Sequence, residues 1–167
     1  MSEKRTYIPE EIEALAEKAA QNAVEHYRHG LSCGECVLKG FLELGLTDYP
    51  PETVALVSGF GGGMGGTGHA CGAICGGMMA VGTCQGRKDP YGLEAFEARV
   101  DQLRRPETGV YARHGAYIKA CVTQWGSTEC RDISLPFGDF ESIERKRNCK
   151  KLIAFCAKEA VKEALKP

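Results

Sequence analysis

Nine cysteines are the residues of this chain whose type and spacing could do chemistry. Cys33 and Cys36 form a CxxC pair, and Cys71 and Cys75 lie four residues apart. In a reducing compartment such cysteines more often bind metal or act as redox thiols than build a disulfide framework, and an odd number cannot pair completely within one chain. The cysteines therefore predict thiol chemistry, with or without a metal.

The CxxC pair is predicted to lie at the start of a helix. Ser32 and Glu35 have the spacing of a capping box, which predicts a helix that continues to Gly45. Unsatisfied amide groups and the helix dipole at Cys33 would stabilise a thiolate and lower the thiol pKa. A thioredoxin-like fold is not indicated, because no βαβ pattern surrounds the motif.

Helical periodicity predicts an all-α fold. A first helix is predicted to begin at Pro9, before the helix at Ser32, and a last helix near Phe140. The helices predicted between them cover Glu52 to Val57, Ala70 to Cys84, Leu93 to Arg104 and Val110 to Trp125. The segment from Gly126 to Asp139 is predicted to be a loop. No alternating pattern indicates a strand. We therefore expect a compact bundle of about six helices that forms one domain over residues 1–167.

A glycine-rich segment, Gly59 to Gly68, leads into the most apolar helix. No charged residue occurs from Thr53 to Gly86, so the helix from Ala70 to Cys84 should be buried at the centre of the bundle. Its length of about 15 residues falls short of the roughly 20 needed to cross a bilayer. The glycine segment also fits G-x-G-x-x-G, but no strand precedes it, so nucleotide binding is not indicated.

Cys33 and Cys71 are both expected at helix starts beside glycines, where backbone amides can approach closely. Sulfur atoms of a metal cluster require such N–H donors and a water-poor pocket, so the glycine segment is predicted to form a cluster cradle. The glycines expected to contact a cofactor are Gly61, Gly62, Gly63, Gly65 and Gly72. His69 is a candidate ligand for a mixed Cys/His site, although loop histidines are more often hydrogen-bonded or solvated. Cys84, Cys121 and Cys156 are interpreted as small apolar side chains of the core rather than as ligands.

Charge and composition limit the partners of the protein. The 21 basic and 22 acidic residues give a net charge of -1, which does not indicate binding to nucleic acid or anionic lipid. Residues Met1 to Glu11 lack the apolar core of a secretory signal, which predicts a cytoplasmic protein without membrane insertion. We expect a redox partner protein, and the small-residue central helix is compatible with a homodimer.

Several segments together resemble the C_GCAxxG_C_C family of redox-active proteins. The motif itself is matched by Cys71-Gly72-Ala73-Ile74-Cys75-Gly76. Ser32 to Leu38 and Gly59 to Gly65 match the segments before it, and Gly126 to Arg131 and Asn148-Cys149 match those after it. The resemblance covers about Gly30 to Ala164, and it implies a set of four functional cysteines: Cys33, Cys71, Cys130 and Cys149.

The same family is similar to the non-haem domain of split-Soret cytochromes c. This similarity implies an iron–sulfur cluster, 2Fe–2S or 4Fe–4S, with the four family cysteines as its ligands. No haem-attachment motif is present, because Val37 follows Cys36 where that motif requires histidine.

Three functions remain open from the sequence. The first is an electron-transfer or redox-sensing protein with an iron–sulfur cluster. The second is a metal-free thiol-disulfide oxidoreductase in which Cys33 is the nucleophile and Cys36 or Cys71 the resolving thiol. The third is a structural zinc site with four thiolate ligands.

Overall fold

The computed structural model describes residues Thr6 to Lys166. Within this part of the chain the α-helices are α1 (Pro9–Arg28), α2 (Cys33–Leu42), α3 (Gly72–Gln85), α4 (Phe96–Arg104), α5 (Val110–Trp125), α6 (Cys130–Ser134) and α7 (Ile143–Ala164). Two 3₁₀ segments, Pro51–Phe60 and Leu135–Phe137, complete the regular structure. The described residues contain no strand, and the predicted all-α fold is confirmed.

The core forms where α1, α2, α3 and α7 pack together. The inner face of α1 consists of small residues, Ala16, Ala19, Ala20 and Ala23, and it packs against α2 and α7. Gly40 of α2 permits this close packing, because a Cβ there would lie 2.9 Å from the backbone nitrogen of Ala23. Small side chains thus bring the helices that carry two of the family cysteines close together.

Helix α3 is the buried central helix that the sequence predicts. It packs against α2, α5 and α7 of the same chain, and most of its residues between Gly72 and Val81 are buried. Two of its glycines are contact points: a Cβ on Gly76 would lie 2.5 Å from the carbonyl oxygen of Gly34, and a Cβ on Gly72 would lie 2.6 Å from that of Phe60. The small-residue face of α3 is therefore already covered by helices of the same chain. Dimerisation stays a prediction.

The capping box at the start of α2 is confirmed. The Glu35 backbone N–H donates to Ser32 Oγ at 3.4 Å, and the Ser32 backbone N–H donates to the Glu35 carboxylate at 2.8 Å. The same carboxylate accepts a hydrogen bond from Ser58 Oγ at 2.6 Å, which connects α2 to the first 3₁₀ segment. The Ser58 and Ser32 hydrogen bonds lower the pKa of Glu35.

Several predicted boundaries differ from the structure. The prediction of a loop from Gly126 to Asp139 is wrong, because α6 and the second 3₁₀ segment lie within it. Helix α6 is only five residues long and is held by α7, whose Asn148 side chain donates to the Ile133 carbonyl at 3.3 Å. The last helix begins at Ile143 rather than Phe140, because the Ser142 hydroxyl caps it.

The sequence predicts a protein without membrane insertion and without a secretory signal at its N-terminus. Among residues 6–166, none of the helices is both long enough and apolar enough to cross a membrane. Of the segment Met1 to Glu11, the residues before Thr6 lie outside the described part of the chain.

Candidate functional site

Four cysteines from four separate elements line one small cavity. Cys33 is the first residue of α2, Cys71 is the N-cap of α3, Cys130 is the first residue of α6, and Cys149 lies on α7. The cavity has a volume of about 10 Å³, which is room for about one water molecule. Its other walls are Gly62, Gly63, Gly72, Ala73, Ile133, Ser134, Leu152 and Ile153. The four cysteines implied by the family resemblance are therefore neighbours in space.

A short antiparallel pairing of two loops places Cys71 beside Cys130. The Cys71 backbone N–H donates to the Thr128 carbonyl at 2.8 Å, and the Cys130 N–H donates to the His69 carbonyl at 2.8 Å. An isolated β-bridge between Ala70 and Glu129 lies at the centre of this pairing. The starts of α3 and α6 are therefore held together, although they are far apart in the sequence.

Burial controls the pKa of Cys33, Cys71 and Cys149 when no metal is bound. Burial raises the pKa of Cys33, and the N–H of Gly62 that is directed at its sulfur offsets only part of this rise. Burial also raises the pKa of Cys71 to about 12 and that of Cys149 to about 11. The prediction of a lowered pKa at Cys33 is wrong, because desolvation outweighs the effect of the helix N-terminus.

Arg145 supplies positive charge at the cavity. Its Nη2 lies 3.8 Å from Cys130 Sγ, and its charge partly offsets the raised pKa of both Cys33 and Cys149. Its guanidinium stacks on Phe140, with Cζ 4.4 Å from the ring centroid. The sequence interpretation missed this residue as part of the site, although its i, i+4 spacing from Cys149 places both on one face of α7.

Three of the five predicted cofactor-binding glycines line the cavity, namely Gly62, Gly63 and Gly72. Gly63 has a φ of +76°, and a Cβ there would lie 2.5 Å from the His69 carbonyl oxygen and 2.6 Å from Cys130 Cβ. Only glycine therefore fits between the loop and Cys130. Gly61 and Gly65 lie outside the cavity walls.

The second cysteine of each sequence pair does not line the cavity. Cys36 is fully buried in the core, where its thiol donates to the Leu31 carbonyl at 3.5 Å. Cys75 is half-buried, and burial raises its pKa. The CxxC pair of Cys33 and Cys36 is therefore divided between the cavity and the core.

Two more cysteines, Cys121 and Cys156, form a separate pair within the core. Both are fully buried, and their thiols lie beside each other and beside the Tyr117 hydroxyl. Burial raises the pKa of Cys156 well above its ordinary value. Cys84 is partly buried, with its sulfur 3.7 Å from the Leu46 carbonyl oxygen. These surroundings are those of small core side chains, as the sequence predicts.

His69 lies near the site but does not line the cavity. Its Nδ1 is 3.6 Å from a carboxylate oxygen of Glu129, and the imidazole is 61% exposed. The structure thus places the His69 side chain next to the Glu129 carboxylate in an exposed position on the paired loops, as is usual for a loop histidine.

The donors around the cavity are four thiols, the ligand type of iron–sulfur clusters and of structural zinc sites. Among residues 6–166, no three His, Cys, Asp or Glu side chains are close enough together to share one metal ion. A cluster contributes its own sulfur atoms between the irons, so it needs cysteines around a cavity rather than in mutual contact. The described cavity walls contain thiols and no carboxylate, with backbone N–H groups of Gly62, Ala73 and Ile74 directed at the sulfurs of Cys33 and Cys71. The small volume means that these walls must move outward to admit a cluster.

Comparison with known proteins identifies the family of the chain. An "Uncharacterized protein" of Archaeoglobus fulgidus is 24% identical over 139 residues, which cover 83% of this chain and 88% of that protein. No solved structure matches the chain. The profile of a family described as "Putative redox-active protein (C_GCAxxG_C_C)" matches residues 31–163, a range that includes all four cavity cysteines. The protein thus belongs to the C_GCAxxG_C_C family of redox-active proteins.

Proposed function

We propose that this protein holds an iron–sulfur cluster through Cys33, Cys71, Cys130 and Cys149 and uses it for electron transfer or redox sensing. The observation that carries the proposal is the convergence of these four thiols, from four different elements, on one buried cavity. A bound cluster would supply one-electron exchange, which the thiols alone do not readily provide.

The surrounding residues have defined roles in this proposal. The Gly62 N–H would hydrogen-bond the Cys33 sulfur, and the Ala73 and Ile74 N–H groups would do the same for Cys71. Such hydrogen bonds and the charge of Arg145 would raise the reduction potential of the cluster, because they stabilise its more negative state. The glycine loop would exclude water and permit the outward movement that admits the cluster.

A redox partner protein is part of the proposal, because electrons must enter and leave the site. We further propose that the partner approaches where the glycine loop and Arg145 separate the cavity from solvent. At this edge the cavity and an open groove share Gly62 and Ser134 as walls, so little protein separates the cysteines from solvent there.

A metal-free thiol-disulfide function is the second candidate, supported by the shared position of Cys33 and Cys71 at one cavity. In that reaction the two thiols would form one Sγ–Sγ bond and release two protons and two electrons to a disulfide of the partner protein. Cys36 is a poor resolving thiol in this structure, because its sulfur is buried in the core.

An anaerobic absorption spectrum of the freshly purified protein, with iron, sulfide and zinc measured on the same sample, tests the proposal. We expect broad visible absorption that dithionite bleaches, with iron and sulfide present in equal amounts. A colourless, metal-free protein whose thiols oxidise reversibly would overturn the cluster and support the second candidate. Zinc without iron would instead indicate a structural metal site.

The Cys33→Ala and Cys36→Ala variants form a matched pair for the same measurement. They remove the same group three residues apart, but only Cys33 lines the cavity. Cluster binding predicts iron loss in Cys33→Ala and iron retention in Cys36→Ala. A disulfide between Cys33 and Cys36 predicts that both variants lose reversible thiol oxidation.

A further inference from the structure

An open groove adjoins the cysteine cavity on its solvent side. Gly62 and Ser134 line both spaces, so the groove and the cavity share a wall. The groove has a volume of about 270 Å³, close to the smallest small-molecule sites at roughly 300 Å³. Its other walls are Gly66, Thr67, Gly68, Arg131, Leu135, Phe140 and Arg145.

Two arginines give the groove its charge. Arg131 and Arg145 both line it, and no carboxylate is among its described walls. Within the described part of the chain, neither arginine forms an ion pair with Asp or Glu. The groove therefore presents two guanidinium groups that are not ion-paired with any described carboxylate.

The arginine side chains are held in place by other contacts. Arg131 donates from Nη2 to the Thr67 carbonyl at 3.1 Å and from Nε to the Gly68 carbonyl at 3.4 Å. The guanidinium of Arg145 is stacked on Phe140 and directs Nη2 at Cys130 Sγ. Prior positioning of this kind reduces the entropy lost when an anion binds to the remaining N–H groups.

The groove also has an apolar side. Leu135 is 65% exposed and Phe140 is 54% exposed, although both are large hydrophobic residues. An apolar side beside fixed positive charge matches a ligand that combines an anionic group with a hydrocarbon group. A groove of this volume accommodates about one substituted ring.

We propose that this groove binds a small organic oxyanion, a carboxylate or phosphate attached to an apolar group. The oxyanion contacts the guanidinium groups of Arg131 and Arg145, and the apolar group packs against Leu135 and Phe140. The proposal goes beyond the redox function and does not depend on which group the cysteines hold. It places a ligand immediately beside the redox-active cysteines.

The test is a titration of the purified protein with benzoate, phenyl phosphate and benzamide, followed by saturation-transfer NMR and by the Nε–H signals of the arginines. We expect one or both anions to bind with a dissociation constant of about 1 mM. Uncharged benzamide has the same shape and should bind at least about tenfold more weakly. A preference for benzoate or for phenyl phosphate identifies the oxyanion.

Arg105 provides a control for the arginine variants. Its guanidinium is paired with the Asp101 carboxylate, to which Nε donates at 2.8 Å, and it is not among the walls of the groove. We expect Arg145→Gln and Arg131→Gln to weaken anion binding by about tenfold, and Arg105→Gln to leave it unchanged. Arg145→Lys keeps the charge without the planar fork, so its loss should be smaller than that of Arg145→Gln.

Four results would overturn the proposal. They are equal binding of benzamide, an equal loss in Arg105→Gln, unchanged binding in both groove variants, and no binding of either anion when a glutamate-rich peptide does bind. The last result would indicate a docking surface for an acidic protein instead. Iron measured on the same samples reports separately on the cysteines, so failure of one proposal is distinguishable from failure of the other.

Discussion

The cavity cysteines and the core pair Cys121 and Cys156 place the same side chain in two different environments. The cavity group receives backbone N–H groups and the charge of Arg145, and glycines form one of its walls. The core pair is fully buried beside the Tyr117 hydroxyl, and the charges that act on it are negative, from Glu159 on Cys121 and from Cys71 on Cys156. Among residues 6–166, the groups that shift the pKa of either core thiol include no backbone N–H and no cation.

The surroundings of each cysteine, rather than the residue type, therefore decide whether it can act as a thiolate or ligand or only fills space in the core. A thiolate or a metal–sulfur bond needs N–H donors or positive charge nearby, because a buried negative charge is otherwise unfavourable. A neutral thiol needs only space and apolar contacts. Changes in the core should therefore alter stability alone, whereas changes at the cavity should alter what the protein binds.

The largest expected effect on stability comes from Gly77→Ala, next to the core pair. An added Cβ would overlap the Tyr117 hydroxyl and lie 2.5 Å from the ring carbon Cζ. Because Tyr117 is fully buried, we expect the free energy of unfolding to fall by about 3 kcal/mol, measured by urea denaturation.

Gly82→Ala on the same helix is the control for this change. Its nearest neighbour would be His114 Nε2 at 3.5 Å, an ordinary contact, so the better helix propensity of alanine should raise stability by up to about 1 kcal/mol. Equal stability of the two variants would contradict the described packing of Tyr117 on α3.

Gly63→Ala should separate binding from stability at the cavity. The positive φ and the close approach to Cys130 predict a loss of about 2 kcal/mol in unfolding free energy. Displacement of Cys130 should also reduce iron bound per folded protein. Gly66→Ala is the control, because its φ is also positive but no atom lies within 4 Å of the added Cβ, so iron should be retained.

Cys121→Ala should affect stability but not binding. Loss of the buried sulfur removes core contacts, which predicts a decrease of about 1 kcal/mol in unfolding free energy. Iron and sulfide content should match the wild type. Iron loss in this variant, with the helical circular dichroism unchanged, would show that the core pair participates in the site.

Arg145→Gln should produce the smallest effect, a change in potential. Removing a positive charge beside the cysteines disfavours the reduced, more negative cluster, so the reduction potential should fall by tens of millivolts, on the order of the effects of nearby charges. The reduction potential should fall less in Arg145→Lys, because lysine keeps the positive charge. Lys146→Gln is the control, because Lys146 is paired with Glu141 at 2.7 Å, and an equal shift there would mean that the effect is not local.

Local signals in the sequence predict much of this structure. The capping box at Ser32 and Glu35 correctly places Cys33 at a helix start, and the apolar run to Cys84 correctly predicts a central helix. Both features depend on residues within one helical turn or one segment. The separation of Cys33 from Cys36 is not local, because residues three apart on a helix lie on the same side, and only the packing of the folded chain divides them between cavity and core.

The rest depends on contacts between distant segments. The pairing of Ala70 with Glu129 brings Cys130 to Cys71, and no periodicity in the sequence encodes it. The family resemblance, not spacing, supplied Cys130 as a site residue. The pKa of Cys33 was predicted in the wrong direction because burial by the glycine loop and α7 is a property of the folded chain.

The most direct test of the account compares Cys149→Ala with Cys156→Ala. The two cysteines lie seven residues apart on α7, so they share one face of the same helix, but only Cys149 lines the cavity. The measurement is iron and sulfide per folded protein after anaerobic purification. The account predicts that Cys149→Ala loses the cluster and that Cys156→Ala retains it. Retention of iron in Cys149→Ala, or its loss in Cys156→Ala alone, would contradict the assignment of the cluster to the cavity cysteines.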